Sequence, residues 1–194
     1  MIASRLEWCW RVVVGIGFFA ATGLVHADCE VPVGGFVSIT GAVEVQPSGG
    51  GSWSPATLST RLCEGETIRV GERSRAAVSL INNAVLRIDQ NTAMRLIDVT
   101  PKDEEASLLD LFTGAFQSFS RKPKFLRVNT PYLNGSIEGT EFVFRVGEEE
   151  SELTVLEGTV VASNAQGSVS VSGGESAFSY GGSGLPSDTP LPTQ

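Results

Sequence analysis

The sequence predicts an all-β fold, a chain coiled on itself as a β-solenoid or roll, with almost no helix once a leader segment is removed. A β-sandwich stays open as the alternative. Three observations carry this. Short runs of alternating apolar and polar residues follow one another from residue 36 onward, the period of half-buried strands. Glycine is plentiful, 22 of 194 residues, and falls between the runs, where corners need a residue without Cβ. One short form also recurs three times. Ile39-Thr40-Gly41-Ala42-Val43, Phe112-Thr113-Gly114-Ala115-Phe116 and Leu156-Glu157-Gly158-Thr159-Val160 each read apolar, polar, Gly, small, apolar. A glycine inside a strand marks a bulge or a corner. The spacing of the three is not constant, which keeps the sandwich open.

Residues 1–27 read as a secretory signal peptide. Arg5 and Arg11 make a cationic start weakened by Glu7, Val12–Leu24 is apolar, and Val25-His26-Ala27 offers a cleavage site before Asp28. An uncleaved anchor is the other reading, although the run is short for a span of about 20 residues. His26 and Asp28 are too bulky or polar for a lipobox before Cys29. Cleavage implies a periplasmic or secreted protein and removes Cys9 and His26, the one histidine of the chain. Cys29 and Cys63 then remain as an even pair in an oxidising compartment, which predicts a Cys29–Cys63 disulfide. In the chain-entropy model it contributes about 3–4 kcal/mol. Two free thiols are the alternative.

The elements follow in order. Phe36–Val45 alternates and breaks at Gly41, and Gln46–Trp53 is a glycine-rich loop. Thr67–Val70, Ala76–Ile81 and Val85–Asp89 read as strands joined by turns at Gly71–Ser74 and at Asn82-Asn83, where asparagine tolerates positive φ. Ile68, Val70, Val78, Leu80, Leu86 and Ile88 are the expected core. Leu108–Phe112 suits a short helix or a buried strand, and its length favours the strand. Arg121-Lys122-Pro123-Lys124 reads as a basic hairpin tip flanked by Phe116, Phe119 and Phe125. Strands follow at Phe125–Asn129, Glu141–Val146, Leu153–Leu156, Thr159–Ala162 and Val169–Val171, with an acidic turn over Gly147–Glu152. Residues 28–178 make the expected domain. The chain loosens from Gly173, and residues 179–194 read as a disordered Gly/Ser/Pro tail.

Composition narrows the function. The net charge is −8, and one unit more negative once Arg5, Glu7 and Arg11 leave. An acidic surface repels phosphate backbones, so nucleic acid is not an expected partner. It also keeps an exported protein soluble. Without histidine no Ser-His-Asp or Cys-His arrangement can form. Two bridged cysteines supply no zinc site, and no glycine pattern of a nucleotide site follows a strand. Glu138 and Glu141 flank the Gly139-Thr140 corner and could serve a carboxylate-based glycan hydrolase. Strand alternation sets them on opposite faces, and ordinary surface acids are the simpler reading. The acidic turn lacks the D-x-D-x-D-G calcium pattern. No enzyme, cofactor or metal is therefore expected. Trp53, Phe119, Arg121, Lys122 and Lys124 are candidate contacts for an envelope protein or polysaccharide. The membrane is met only through residues 1–27 if they are kept.

Several stretches in order resemble the FecR periplasmic domain family. These are Gly41-Ala42-Val43, the Leu62–Gly71 step, Ser74–Leu80, Thr130-Pro131, Gly139-Thr140-Glu141-Phe142, Glu157-Gly158-Thr159-Val160 and Gly174-Glu175. Thr130, Pro131, Gly139, Thr140, Phe142 and Gly158 carry the signature. Asn82-Asn83-Ala84 stands where the family has an Asp-Gly turn, Val70 replaces a threonine, and Glu138 sits where arginine is common. The resemblance implies a non-catalytic sensing or interaction module. Founding members place an anti-sigma segment before a membrane span and contact an outer-membrane transducer beyond it. Here eleven residues precede the apolar run, too few to fold, so anti-sigma activity is not expected of this chain.

Overall fold

The computed structural model describes residues 29–102, 105–181 and 187–190. The expected signal peptide lies outside the described residues. Among the described residues there is no helix; the chain is all-β, as its alternation demands. The first eight strands are short: β1 (Gly34–Thr40), β2 (Val43–Gln46), β3 (Ser54–Pro55), β4 (Arg61–Leu62), β5 (Thr67–Val70), β6 (Arg75–Leu80), β7 (Val85–Ile88) and β8 (Thr92–Asp98). Three long strands follow: β9 (Ser107–Asn129), β10 (Asn134–Val146) and β11 (Glu150–Asn164). β12 (Gly167–Ser172), β13 (Glu175–Tyr180) and β14 (Ser187–Pro190) close the chain order.

The threefold sequence form is one structural device used three times. In each copy a strand changes partner at a glycine, and the turn joining its two partners braces the corner. β1 pairs with β6 and β2 with β5, and the chain between them bends at Gly41, φ +77°. The turn from β5 to β6 uses Arg73 at φ +53° and presents Ser74, whose Oγ accepts the Ala42 N–H at 2.9 Å. In the second copy β9 leaves β8 after Thr113 and joins β7 at Phe116, bending at Gly114, φ +87°. The turn from β7 to β8 uses Asn91 at φ +54° and presents Thr92, whose Oγ1 accepts the Ala115 N–H at 3.0 Å. In the third, β11 passes from β13 to β12 at Gly158, φ +101°. There the Gly173 and Gly174 amides donate to the carbonyls of Gly158 and Val155 at 3.1 and 2.8 Å. Only glycine fits the first two corners. A Cβ on Gly41 would sit 2.3 Å from Ser74 Oγ, and one on Gly114 2.5 Å from Thr92 Cα.

These corners roll the sheet. Hydrogen bonds run β1–β6–β7–β9–β8–β5–β2, and the Gly41 corner joins β2 back to β1. β10, β11, β13 and β14 continue outward from β9. Every pairing is antiparallel. The coil is thus a rolled antiparallel sheet rather than a stack of parallel rungs.

The six expected core residues are all buried. Phe116, Phe142 and Phe144 cluster beside them with ring centroids 6.0–6.3 Å apart. Each such side chain stabilises by roughly 1.5–3 kcal/mol of transfer free energy. The Cys29–Cys63 disulfide is formed, with Cα atoms 5.8 Å apart. It ties the start of the described chain to the segment before β5. Leu108–Phe112 is strand rather than helix, part of β9.

Three expectations need correction. Arg121–Lys124 is not a hairpin tip. β9 runs through it, because both flanks pair antiparallel with the same strand, β10. The chain does not loosen at Gly173, which begins a tight turn into β13, closed by Glu175 Oε2 accepting the Ser172 N–H at 2.7 Å. Nor is all of 179–194 irregular. Ser187–Pro190 pairs with β13 from Phe178↔Ser187 to Glu175↔Pro190. Four polar or proline residues give no alternation signal; the open edge of β13 makes them a strand. Residues 182–186 and 191–194 lie outside the described residues.

Candidate functional site

Strands β9 and β10 pair in two stretches separated by a step in register. Glu141 faces Phe119, and Gly139 faces Lys124. Between those pairs, Ser120–Pro123 on β9 oppose Thr140 alone on β10. β11 bends at the same level, where Gly139 pairs with Gly158. A bend shared by three strands gives them unequal path lengths, and the four-residue bulge on β9 takes up the difference. Inside the bulge the Ser120 hydroxyl donates to the Lys122 carbonyl at 2.5 Å. The cationic side chains of Arg121 and Lys122 stand exposed. Phe119 and Phe125, at either end, are 38% and 37% exposed.

The bulge borders a groove of about 640 Å³. Val85 and Phe119, paired across β7 and β9, supply apolar surface. Arg121, Lys122 and Lys124 supply positive charge, and Asn83 and Pro101 come from neighbouring turns. Four of the five predicted contact residues therefore meet here. The fifth, Trp53, does not line the groove. It is half-buried near β3 under the Arg69 guanidinium, 4.1 Å from its ring centroid, and Arg69 is held by Glu44 at 2.6 Å.

A second concavity, about 440 Å³, lies on the same sheet face. Arg87 and Gln117 sit two residues from Val85 and Phe119 along the same paired strands, so the two hollows adjoin. Arg75, Arg87 and Arg145 line it over a floor that includes Ala77 and Ala115. Arg75 bonds Asp89 at 3.1 Å, and Arg145 reaches Glu152 at 3.5 Å. The backbone N–H of Gln90, followed by the Arg75 guanidinium, holds the Asp89 carboxyl below its ordinary range. Alternation marks these arginines as outward-facing. Nothing local says that three separate strands bring them together, so sequence reasoning missed them.

The signature residues build the fold. Thr130 Oγ1 accepts the Leu133 N–H at 3.0 Å and lies 2.8 Å from Oγ of buried Ser151, closing the β9–β10 turn at Pro131. Phe142 is in the core, and Gly158 is a corner. The backbone of Gly139 and Thr140 lies at the shared bend. Glu141 accepts a hydrogen bond from Gln117 at 2.5 Å, while Glu138 is exposed and pairs opposite Phe125. The acidic turn closes through Gly147 N–H to Glu150 O at 2.9 Å and Tyr132 O–H to Glu148 O at 2.8 Å. Among the described residues no group of three or more His, Cys, Asp or Glu could hold a metal ion.

Two crystal structures of a putative anti-sigma factor from Parabacteroides distasonis, at 1.65 and 2.50 Å resolution, share the fold. Each is 17% identical with a TM-score of 0.56 over 64% of this chain. The match spans 59% of the length of that protein. No curated protein matches. The model of the family described as FecR protein matches residues 66–161. That interval takes in the second and third glycine corners, the Thr130-Pro131 turn and the shared bend. The chain carries a FecR domain over residues 66–161.

Proposed function

We propose that this is a non-catalytic sensing or interaction module of the cell envelope, exported by residues 1–27 to the periplasm or beyond, that docks a partner protein on the groove beside the β9 bulge. The observation that carries the reading is the bulge itself. It holds Arg121 and Lys122 exposed beside a partly exposed Phe119, on a chain whose net charge is −8. A local reversal of charge next to exposed aromatic surface is the composition of a contact site, where aromatic and Arg side chains are enriched. The non-catalytic reading rests on the FecR-domain match and on the chain's single histidine, His26, lying within the proposed leader. Anti-sigma activity is not part of the proposal.

The test is a crosslinking pull-down from the native envelope with the wild type and with Arg121→Glu/Lys122→Glu. The double variant is expected to lose the partner while melting at the same temperature. Undiminished recovery would refute docking at the bulge. N-terminal sequencing of the exported protein should begin at Asp28.

A further inference from the structure

We infer that the two hollows form one trough and that its occupant is an extended acidic peptide segment of the partner, with one carboxylate seated on Arg87. This rests on the interaction reading above and names the chemistry of the partner.

Three observations lead there. First, the hollows adjoin along β7 and β9, and together their lining carries six cations against one lining carboxylate, Asp89, with Glu141 on Gln117 and Glu152 on Arg145 at the rim. That is an inverted charge balance on an acidic chain. Second, the arginines differ in what holds them. Arg75 is engaged by Asp89, and Arg145 by Glu152. Arg87 is exposed between them, and its guanidinium has no hydrogen bond or ion pair among the described residues. A free guanidinium presents a planar fork of donors that fits a carboxylate through two parallel bonds.

Third, the cations alternate with apolar surface. Val85 and Phe119 lie on one side of Arg87, and Val143 on the other, across Gln117. A segment alternating acidic and apolar residues matches that pattern, whereas a polyanionic sugar offers carboxylates without aliphatic side chains. The outward row Ser38, Ala77, Arg87, Gln117 and Val143 crosses five strands. At a strand spacing of about 4.8 Å it spans roughly 19 Å across the strands of the first hollow, the reach of an extended segment of about six residues.

The experiment titrates the protein by calorimetry at two salt concentrations with three probes: a synthetic Glu-Val-Glu-Leu-Asp-Val-Glu peptide, its Gln/Asn counterpart, and oligogalacturonate. The acidic peptide should bind, weaken as salt rises, and lose at least fivefold in affinity with Arg87→Gln. Arg87 is exposed, so the variant should keep its melting temperature. The amide peptide should bind at least tenfold more weakly than the acidic one. Equal binding of the two peptides, or no effect of Arg87→Gln, would overturn the inference. Tighter, Arg87-dependent binding of oligogalacturonate would also overturn it, as a glycan site. A self-association lost with both Arg87→Gln and Glu148→Gln/Glu149→Gln would overturn it in favour of a second copy. If Arg87→Gln keeps the envelope partner while Arg121→Glu/Lys122→Glu loses it, the acidic-peptide assignment fails and the interaction module stands.

Discussion

At Gly114, strand β9 bends against a packed turn. Thr92, 1% exposed, accepts the Ala115 N–H, and a glycine Cβ has no room. A little farther along, the same strand departs from regular pairing in the other direction. Between Phe119 and Lys124 it gains residues, pushes them outward and exposes Arg121 and Lys122. Both irregularities turn the sheet. The first does so by removing a side chain and filling the corner with a neighbour's hydroxyl. The second does so by adding backbone that carries the exposed side chains of Arg121 and Lys122. A bend closed by packing is a requirement of the fold, while the bend that carries exposed charge is the one proposed to take a partner.

The contrast can be broken by experiment. The largest effect is expected at the closed bend. Gly114→Val adds a side chain where φ is +87° and Thr92 Cα is 2.5 Å away. Left-handed strain and overpacking together should cost about 3 kcal/mol or more, seen as loss of folded protein or a large drop in the denaturant midpoint. A midpoint close to wild type would mean that the corner is not tightly packed. Thr92→Val, nearly isosteric, removes the acceptor from the Ala115 amide. It should cost about 1–3 kcal/mol, measured by the same unfolding curve. Arg121→Glu/Lys122→Glu at the open bend should change stability by no more than about 0.5 kcal/mol while abolishing partner recovery. A substantial loss of stability there would erase the distinction between the two bends.

The smallest effect concerns the rim of the closed bend. Asp89 donates its N–H to Ala115 O at 3.0 Å, and its carboxyl faces solvent and Arg75. Its folded pKa is lowered, first by the Gln90 amide and then by Arg75. The contribution is therefore complete above its unfolded pKa of about 3.9 and fades as pH falls through the lower folded value. Asp89→Asn should lower the melting temperature slightly at neutral pH and flatten the acid limb, so that the two proteins converge below about pH 4. An identical acid limb in both proteins would show that the carboxyl is not linked to folding.

Much of the fold was legible because β structure writes itself locally. Period-two alternation placed Ile68, Val70, Val78, Leu80, Leu86 and Ile88 inside, and all are buried. Asn83 turns the chain at φ +66°, as its side-chain chemistry allows. The recurrent glycine form marked all three corners. The braces were not legible, because Ser74 and Thr92 reach their corners across 32 and 23 residues. The bulge was misread as a hairpin for a similar reason. Lys-Pro-Lys has turn composition, and only the common partner on either side reveals that the chain continues.

By itself the sequence determined the all-β class, the alternating core, the glycine corners, the Cys29–Cys63 pair and the resemblance that the FecR-domain match over residues 66–161 bears out. These follow from properties a residue carries wherever it is placed: its shape, its φ preference, its polarity. The tertiary structure alone decided which turn braces which corner, that β14 adds to the edge of β13, and that Arg75, Arg87 and Arg145 share one hollow. Those are matters of register between distant strands, and register is settled by the simultaneous burial of every inward face rather than by any one segment.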